Sequence, residues 1–118
     1  MKKILVVDDS NSSRTSLVFS LSQKGFQVIA AEDGKQGLNQ AVDNEDLTII
    51  ITDINMPNMN GFEMIENIRK FNQEVPIIAL SVDEAKGNQA IQSGATAFII
   101  KSSKSSEEIK RFLDLYIK

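Results

Sequence analysis

This sequence predicts an α/β fold, a parallel sheet with helices on its faces. Three observations carry that reading. Short apolar runs recur along the chain, and they are unbroken rather than alternating, as in strands covered on both faces. Between them lie segments whose apolar residues fall at helical spacing. The chain has 118 residues, 42% of them hydrophobic and 25% charged, which suits one globular domain with its own core. Strand–helix alternation of this kind gives stacked layers joined by right-handed crossovers.

The first strand is Ile4 to Val7, stopped by Asp8 and Asp9. Leu17, Val18 and Leu21 stripe the next segment, a helix. Phe26 to Ala31 is the second strand and runs out into Glu32-Asp33. Leu38, Ala41 and Val42 mark the second helix. Leu47 to Ile51 is the third strand, with Asp53 close behind it. Asn60-Gly61 has the form of a hairpin turn. The residues after it keep helical spacing rather than forming a second alternating strand, with Met64, Ile65, Ile68 and Phe71 on one stripe, so the pair opens a helix. Pro57 lies in the loop before it. Pro76 opens the fourth strand, Ile77 to Leu80. The fourth helix, Glu84 to Ser93, is weakly anchored: Gly87 lies inside it, and only Ile91, Ala85 and Ala90 are apolar. Low burial predicts that it is the most mobile helix. Phe98 to Ile100 is the last strand. Ile109, Phe112, Leu113, Tyr116 and Ile117 form the clearest helical stripe, and Ser105 with Glu108 fits a capping box in front of it.

Composition removes several function classes. The chain has no Cys, so disulfide frameworks, thiolate metal sites and thiol catalysis are excluded. It has no His, the commonest general base and transition-metal ligand. A net charge of −3 offers no bulk attraction for nucleic acid. Asp8 and Asp9 interrupt the N-terminal apolar run too early for a signal peptide, and no stretch is long enough to span a bilayer. The expectation is a cytoplasmic protein without membrane insertion or direct nucleic-acid contact.

Ligands of open parallel sheets bind where the strands finish. Those ends supply Asp8 and Asp9, Asp53, Ser81 and Lys101. Three close carboxylates repel one another, and at least one tends to hold its proton. Mg²⁺, an oxygen-loving ion, relieves that repulsion. With Lys101 added, the cluster is neutral, and one carboxylate remains free as a nucleophile toward phosphorus. Each residue taken alone has a plainer reading. Asp8, Asp9 and Ser10 fit the start of a helix. Ser81 to Glu84 fits a capping box. Lys101 fits a solvated lysine, and Phe98 fits strand core.

The segments Val6-Val7-Asp8-Asp9-Ser10, Thr52-Asp53-Ile54-Asn55-Met56-Pro57-Asn58-Met59-Asn60-Gly61, Ala79-Leu80-Ser81 and Ile100-Lys101 resemble the receiver domain of bacterial response regulators, across essentially the whole chain. The Asp-Asp-Ser opening and Asn55 look most like the CheY-like, single-domain members. The resemblance implies a flavodoxin-like three-layer α/β/α sandwich with five helices and a five-stranded parallel sheet of order 2-1-3-4-5, of which CheY is itself a known example. It implies one receiver domain over residues 1–118 with no output domain. It also implies that Asp53 is the phosphoacceptor, that Asp9, Asp53 and the Asn55 carbonyl bind Mg²⁺, and that Asp8 acts through a metal-bound water. Lys101 would pair with the phosphoryl group, Ser81 would move with it, and Phe98 would be the switch aromatic.

The donor implied is a sensor histidine kinase or histidine phosphotransfer protein. The listener would be a protein target, with the flagellar motor switch in chemotaxis as the usual one. A phosphorelay intermediate fits the same residues. On this reading the chain is not an enzyme beyond transferring phosphoryl to, and losing it from, its own Asp53. Ser102 stands where the family usually has Pro, so a trans Lys101–Ser102 bond is expected. Val82 stands where a smaller residue is common, and its bulk narrows access to Asp53.

Three other functions compete. A Mg²⁺-dependent aspartyl-phosphate phosphohydrolase would commonly carry an acid where this chain has Asn55. A flavodoxin-like cofactor binder would need a neutral phosphate loop in place of Asp8 and Asp9. A receiver that signals without phosphate would not need all five site groups.

Overall fold

The computed structural model describes residues 2–116. Along the chain run β1 (Lys3–Val7), α1 (Asn11–Gln23), β2 (Gln27–Ala31), α2 (Gly34–Asp43), β3 (Leu47–Asp53), α3 (Gly61–Arg69), β4 (Ile77–Ser81), a 3₁₀ turn (Glu84–Lys86), α4 (Gly87–Ser93), β5 (Ala97–Ile100) and α5 (Ser105–Tyr116). The strands form one sheet of order β2-β1-β3-β4-β5, every neighbouring pair parallel. This is the three-layer flavodoxin-like arrangement that the family resemblance implies.

Alternate residues of each strand serve the two faces, which explains the unbroken apolar runs. Leu5, Val7, Ile50, Ile77 and Ala79 point to one side, where Ala41 of α2, Met64, Ile65 and Ile68 of α3, and Ala90 of α4 cover them. Ile4, Val6, Ile49, Ile51, Ile78, Leu80 and Ile99 point to the other, under Leu21 of α1 and Ile109 and Leu113 of α5. Burying a Val, Leu or Ile side chain contributes about 1.5–3 kcal/mol, so these two layers fix the sheet and leave its C-terminal rim for polar groups.

Several local expectations need correction. Phe71 is not on the α3 stripe: the helix ends at Arg69, and Phe71 lies in the turn beyond it, 51% exposed. Val42 is exposed because it turns away from its buried neighbour Ala41. Tyr116 is exposed as well, stacked on Phe112 with ring centroids 4.3 Å apart. Ile117 of the same stripe lies outside the described residues. The α5 capping box does not form, because Ser105 is already inside the first turn. Its hydroxyl donates to the Ser102 carbonyl at 2.8 Å, and the Glu108 amide bonds the Lys104 carbonyl at 3.2 Å. The weak fourth helix is divided into the 3₁₀ turn and a seven-residue α4 with no side-chain cap, and Ala90 is its one buried residue.

Candidate functional site

β3 runs two residues past its apolar stretch. Thr52 pairs with Ala79 and Asp53 with Leu80, so Asp53 occupies the last rung of a central strand. Its backbone is held by the ladder, and only its side chain reaches the rim. The turn after it is closed by two amide bonds, from Ile54 to the Leu80 carbonyl (3.0 Å) and from Gly61 to the Ile54 carbonyl (2.8 Å). Gly61 is required for this closure: a Cβ there would lie 2.8 Å from the Ile54 Cα and would strike the Asp53 carbonyl oxygen. Farther along the loop, Asn58 adopts a φ of 67° and donates from its amide to Asp33 Oδ2 at 2.8 Å.

Asp8 leaves β1 into the turn before α1. Its Oδ1 accepts the Ser10 amide at 2.8 Å, and Arg14 of α1 donates to its backbone carbonyl at 2.8 Å. Lys101, just past β5, has its own amide on the Ser81 carbonyl at 2.8 Å. Its Nζ donates to Asp53 Oδ1 and Oδ2 at 3.1 and 3.0 Å and to Asp8 Oδ2 at 3.3 Å. Both carboxylates are buried. Asp9 is exposed, yet Asp8, Asp9 and Asp53 each offer a carboxylate oxygen within 4.8 Å of the others.

The electrostatics arise from this crowding. Burial first, and the Asp8 carboxylate second, push Asp53 up to about 7 against the pull of Lys101. Burial also opposes ionisation of Asp8. Hydrogen bonds with Asp53, Ser13 and the Ser10 amide, together with Lys101, outweigh that and hold its carboxyl below the usual value. Burial works against the Lys101 charge too, but Asp53 and Asp8 overcome it and raise its pKa. One half-buried lysine therefore does not neutralise the cluster. A hard divalent cation fits a donor set made only of oxygens, and its charge would oppose the burial and repulsion that raise Asp53.

Asp53 opens into a cleft of about 130 Å³ lined with Asn55, Leu80, Ser81, Val82 and Lys101. Pockets that bury drug-sized ligands run to roughly 300–1,000 Å³, so this one suits a single phosphoryl group and not a flavin. Ser81 is buried at the end of β4, and its Oγ accepts the Asp83 amide at 3.0 Å. Asp83, not Ser81, caps the 3₁₀ turn, by accepting the Ala85 amide. Val82 stands at the cleft's edge, 74% exposed. Phe98 does not line the cleft; its ring packs on the α3–α4 side of the core and against Gly87. The Lys101–Ser102 bond is trans, as no cis peptide occurs among the described residues.

The structure thus unites Asp8, Asp9, Asp53 and Lys101, sets Ser81 and Asn55 beside them, and leaves Phe98 outside the cleft lining. It also adds supports that sequence patterns do not reveal. Arg14 and Ser13 sit on α1 in an ordinary polar helix, and nothing in their spacing marks them as partners of Asp8.

Comparison with known proteins identifies the family. The response regulator receiver domain model matches residues 4–113, and the chain belongs to that family. Within it, the chain is CheY-like. It is 36% identical over 104 residues to the chemotaxis protein CheY1 of Helicobacter pylori strain J99, covering 84% of each chain. The structure of Vibrio cholerae chemotaxis protein CheY4 superposes with a TM-score of 0.89 at 31% identity, covering 99% of both chains. CheY of Borrelia burgdorferi, solved as a CheX-CheY-BeF3-Mg complex, superposes with a TM-score of 0.88 at 26% identity, over 99% of this chain and 90% of that one.

Proposed function

We propose that this chain is a phosphorylation-controlled switch of a two-component system, with Asp53 as phosphoacceptor. The observation that carries the reading is a buried carboxylate on the last rung of a central strand, gripped by Lys101 beside two further acids, facing a phosphoryl-sized cleft. A carboxylate oxygen of Asp53 attacks the phosphorus of a phosphohistidine whose other ring nitrogen carries a proton taken from solvent, the P–N bond breaks, and neutral imidazole leaves. Asp9, Asp53 and the Asn55 carbonyl would hold Mg²⁺, with Asp8 behind them. When bound, the ion offsets negative charge on the transferring phosphoryl group. Lys101 and Ser81 are placed to bond phosphoryl oxygens. A shift of the Ser81 hydroxyl toward the phosphoryl group would release the Asp83 amide that it accepts and loosen the start of the 3₁₀ turn.

That release is the link from pocket to surface. A swing between 1:99 and 99:1 takes ~5.5 kcal/mol, which a few desolvated, charge-assisted bonds approach. The face that would respond is α4–β5–α5, where Ile91, Ile100 and Tyr116 are exposed. The donor is a histidine kinase or phosphotransfer protein. The output is a protein contact, and the CheY relatives favour chemotaxis, either at the motor switch or with a CheX-type partner. A phosphorelay role uses the same chemistry. Hydrolysis of phosphate esters as an enzyme is disfavoured, because Asn55 supplies no acid for proton transfer.

Incubation with acetyl phosphate and Mg²⁺, then intact mass measurement, tests this. The expected gain is one phosphoryl group that hydroxylamine removes and Asp53→Asn abolishes. A folded protein that gains no mass refutes the reading.

A further inference from the structure

A second cation stands at the mouth of the cleft. Lys86, the last residue of the 3₁₀ turn, donates from Nζ to Asn55 Oδ1 at 2.6 Å, across 31 residues of sequence. Asn55 lines the cleft beside Asp53, so this bond spans the opening from the β4 side to the β3 side. The two lysines of the site differ in one respect. The Lys101 ammonium lies against the buried carboxylates of Asp8 and Asp53. Lys86 is in no ion pair among the described residues, and its partner is a neutral amide. Glu84, two residues before Lys86, forms no ion pair with it among the described residues, and Asp83 directs its carboxylate to the Ala85 amide. An anion approaching Asp53 meets three carboxylates and one neutralised lysine, and Lys86 supplies uncompensated positive charge on its path. Charge of one sign at the mouth of a low-dielectric cleft raises the encounter rate of the opposite sign.

We propose that Lys86 is a positioning residue that favours dianionic phosphodonors at the entrance to Asp53. The proposal rests on the reading of Asp53 as phosphoacceptor. Near neutral pH acetyl phosphate is a dianion and phosphoramidate is largely a monoanion, so the two small donors differ in charge without involving a protein partner. The full chain with saturating Mg²⁺ is labelled by each donor, and initial rates are compared for the wild type, Lys86→Gln, Lys86→Arg and Lys86→Glu.

Lys86→Gln should slow labelling by acetyl phosphate roughly three- to tenfold, slow phosphoramidate distinctly less, and flatten the salt dependence of the acetyl phosphate rate. Lys86→Arg should stay within about twofold of wild type, and Lys86→Glu should widen the difference between donors. Equal slowing of both donors would mean that Lys86 only tethers Asn55, and unchanged rates would mean that it does nothing at the entrance; either overturns the proposal while the phosphoacceptor reading stands. A wild-type chain that neither donor labels overturns both.

Discussion

On one side of the cleft, the segment from Asp53 to Gly61 is tied at nearly every step. Ile54 bonds β4, Gly61 bonds back to Ile54, Met59 accepts the Gly34 amide, and Asn58 holds Asp33. The helix it leads into has a capping box between Asn60 and Glu63 and buries Phe62, Met64, Ile65 and Ile68. On the other side, the segment from Ser81 to Ser93 has a 3₁₀ turn, an uncapped seven-residue helix, and Ala90 as that helix's one buried residue. The two walls face the same cleft with different stiffness. A rigid wall keeps the acceptor carboxylate in place, and a loosely anchored wall has low-cost alternatives to move into.

The largest effect should come from the rigid wall. Gly61→Ala drives a Cβ into the backbone of Asp53 and Ile54, where neither atom can move without breaking the sheet. We expect a loss of about 3–5 kcal/mol in urea melts. A loss under about 1 kcal/mol would show that this loop yields as easily as the other.

The charge held by that wall gives the next effect. In the metal-free protein Asp53 is pushed from 3.8 to about 7. The folded state therefore binds this proton more tightly than the unfolded chain, and stability falls as pH rises from about 4 to 7. The lowered Asp8 loses its contribution only below that window, and the raised Lys101 only far above it. Asp53→Asn removes the titration. It should stabilise the metal-free protein by about 2 kcal/mol at pH 8, with the gain shrinking toward pH 4. Thermal melts across that range check the sign; a variant less stable than wild type at pH 8 would mean that Lys101 more than compensates the buried charge.

The smallest effect belongs to the loose wall. A Cβ on Gly87 would lie 3.0 Å from the Phe98 ring, a tight contact. That ring is only half-buried and can shift, while Ala gains helix propensity over Gly of roughly 1 kcal/mol. Gly87→Ala should stay within about 1 kcal/mol of wild type and slow amide exchange over 87–93. A loss as large as that of Gly61→Ala would place Phe98 in rigid core and abolish the contrast between the walls.

Much of this was legible in the sequence because the signals are local. Unbroken runs such as Ile4 to Val7 report burial on both faces, and an acid that ends such a run reports a strand tip. The failures have local causes too. Phe71 keeps helical spacing although its helix has already ended, and Ser105 has capping-box spacing but lies one residue inside the helix. A pattern of residue types does not specify where a helix stops, because the last turn is decided by which carbonyls find other partners.

The amino-acid order by itself determined the five strands, their burial on both faces, and the residue types at their ends, since each depends on neighbours a few positions away. Only the tertiary structure decided that Asp8 and Asp53 share one lysine, that burial and Asp8 push Asp53 up to about 7, and that Lys86 reaches Asn55 across the cleft. Those are matters of distance and desolvation between segments 31 to 93 residues apart, and Coulombic and burial energies depend on where side chains meet rather than on where they lie along the chain.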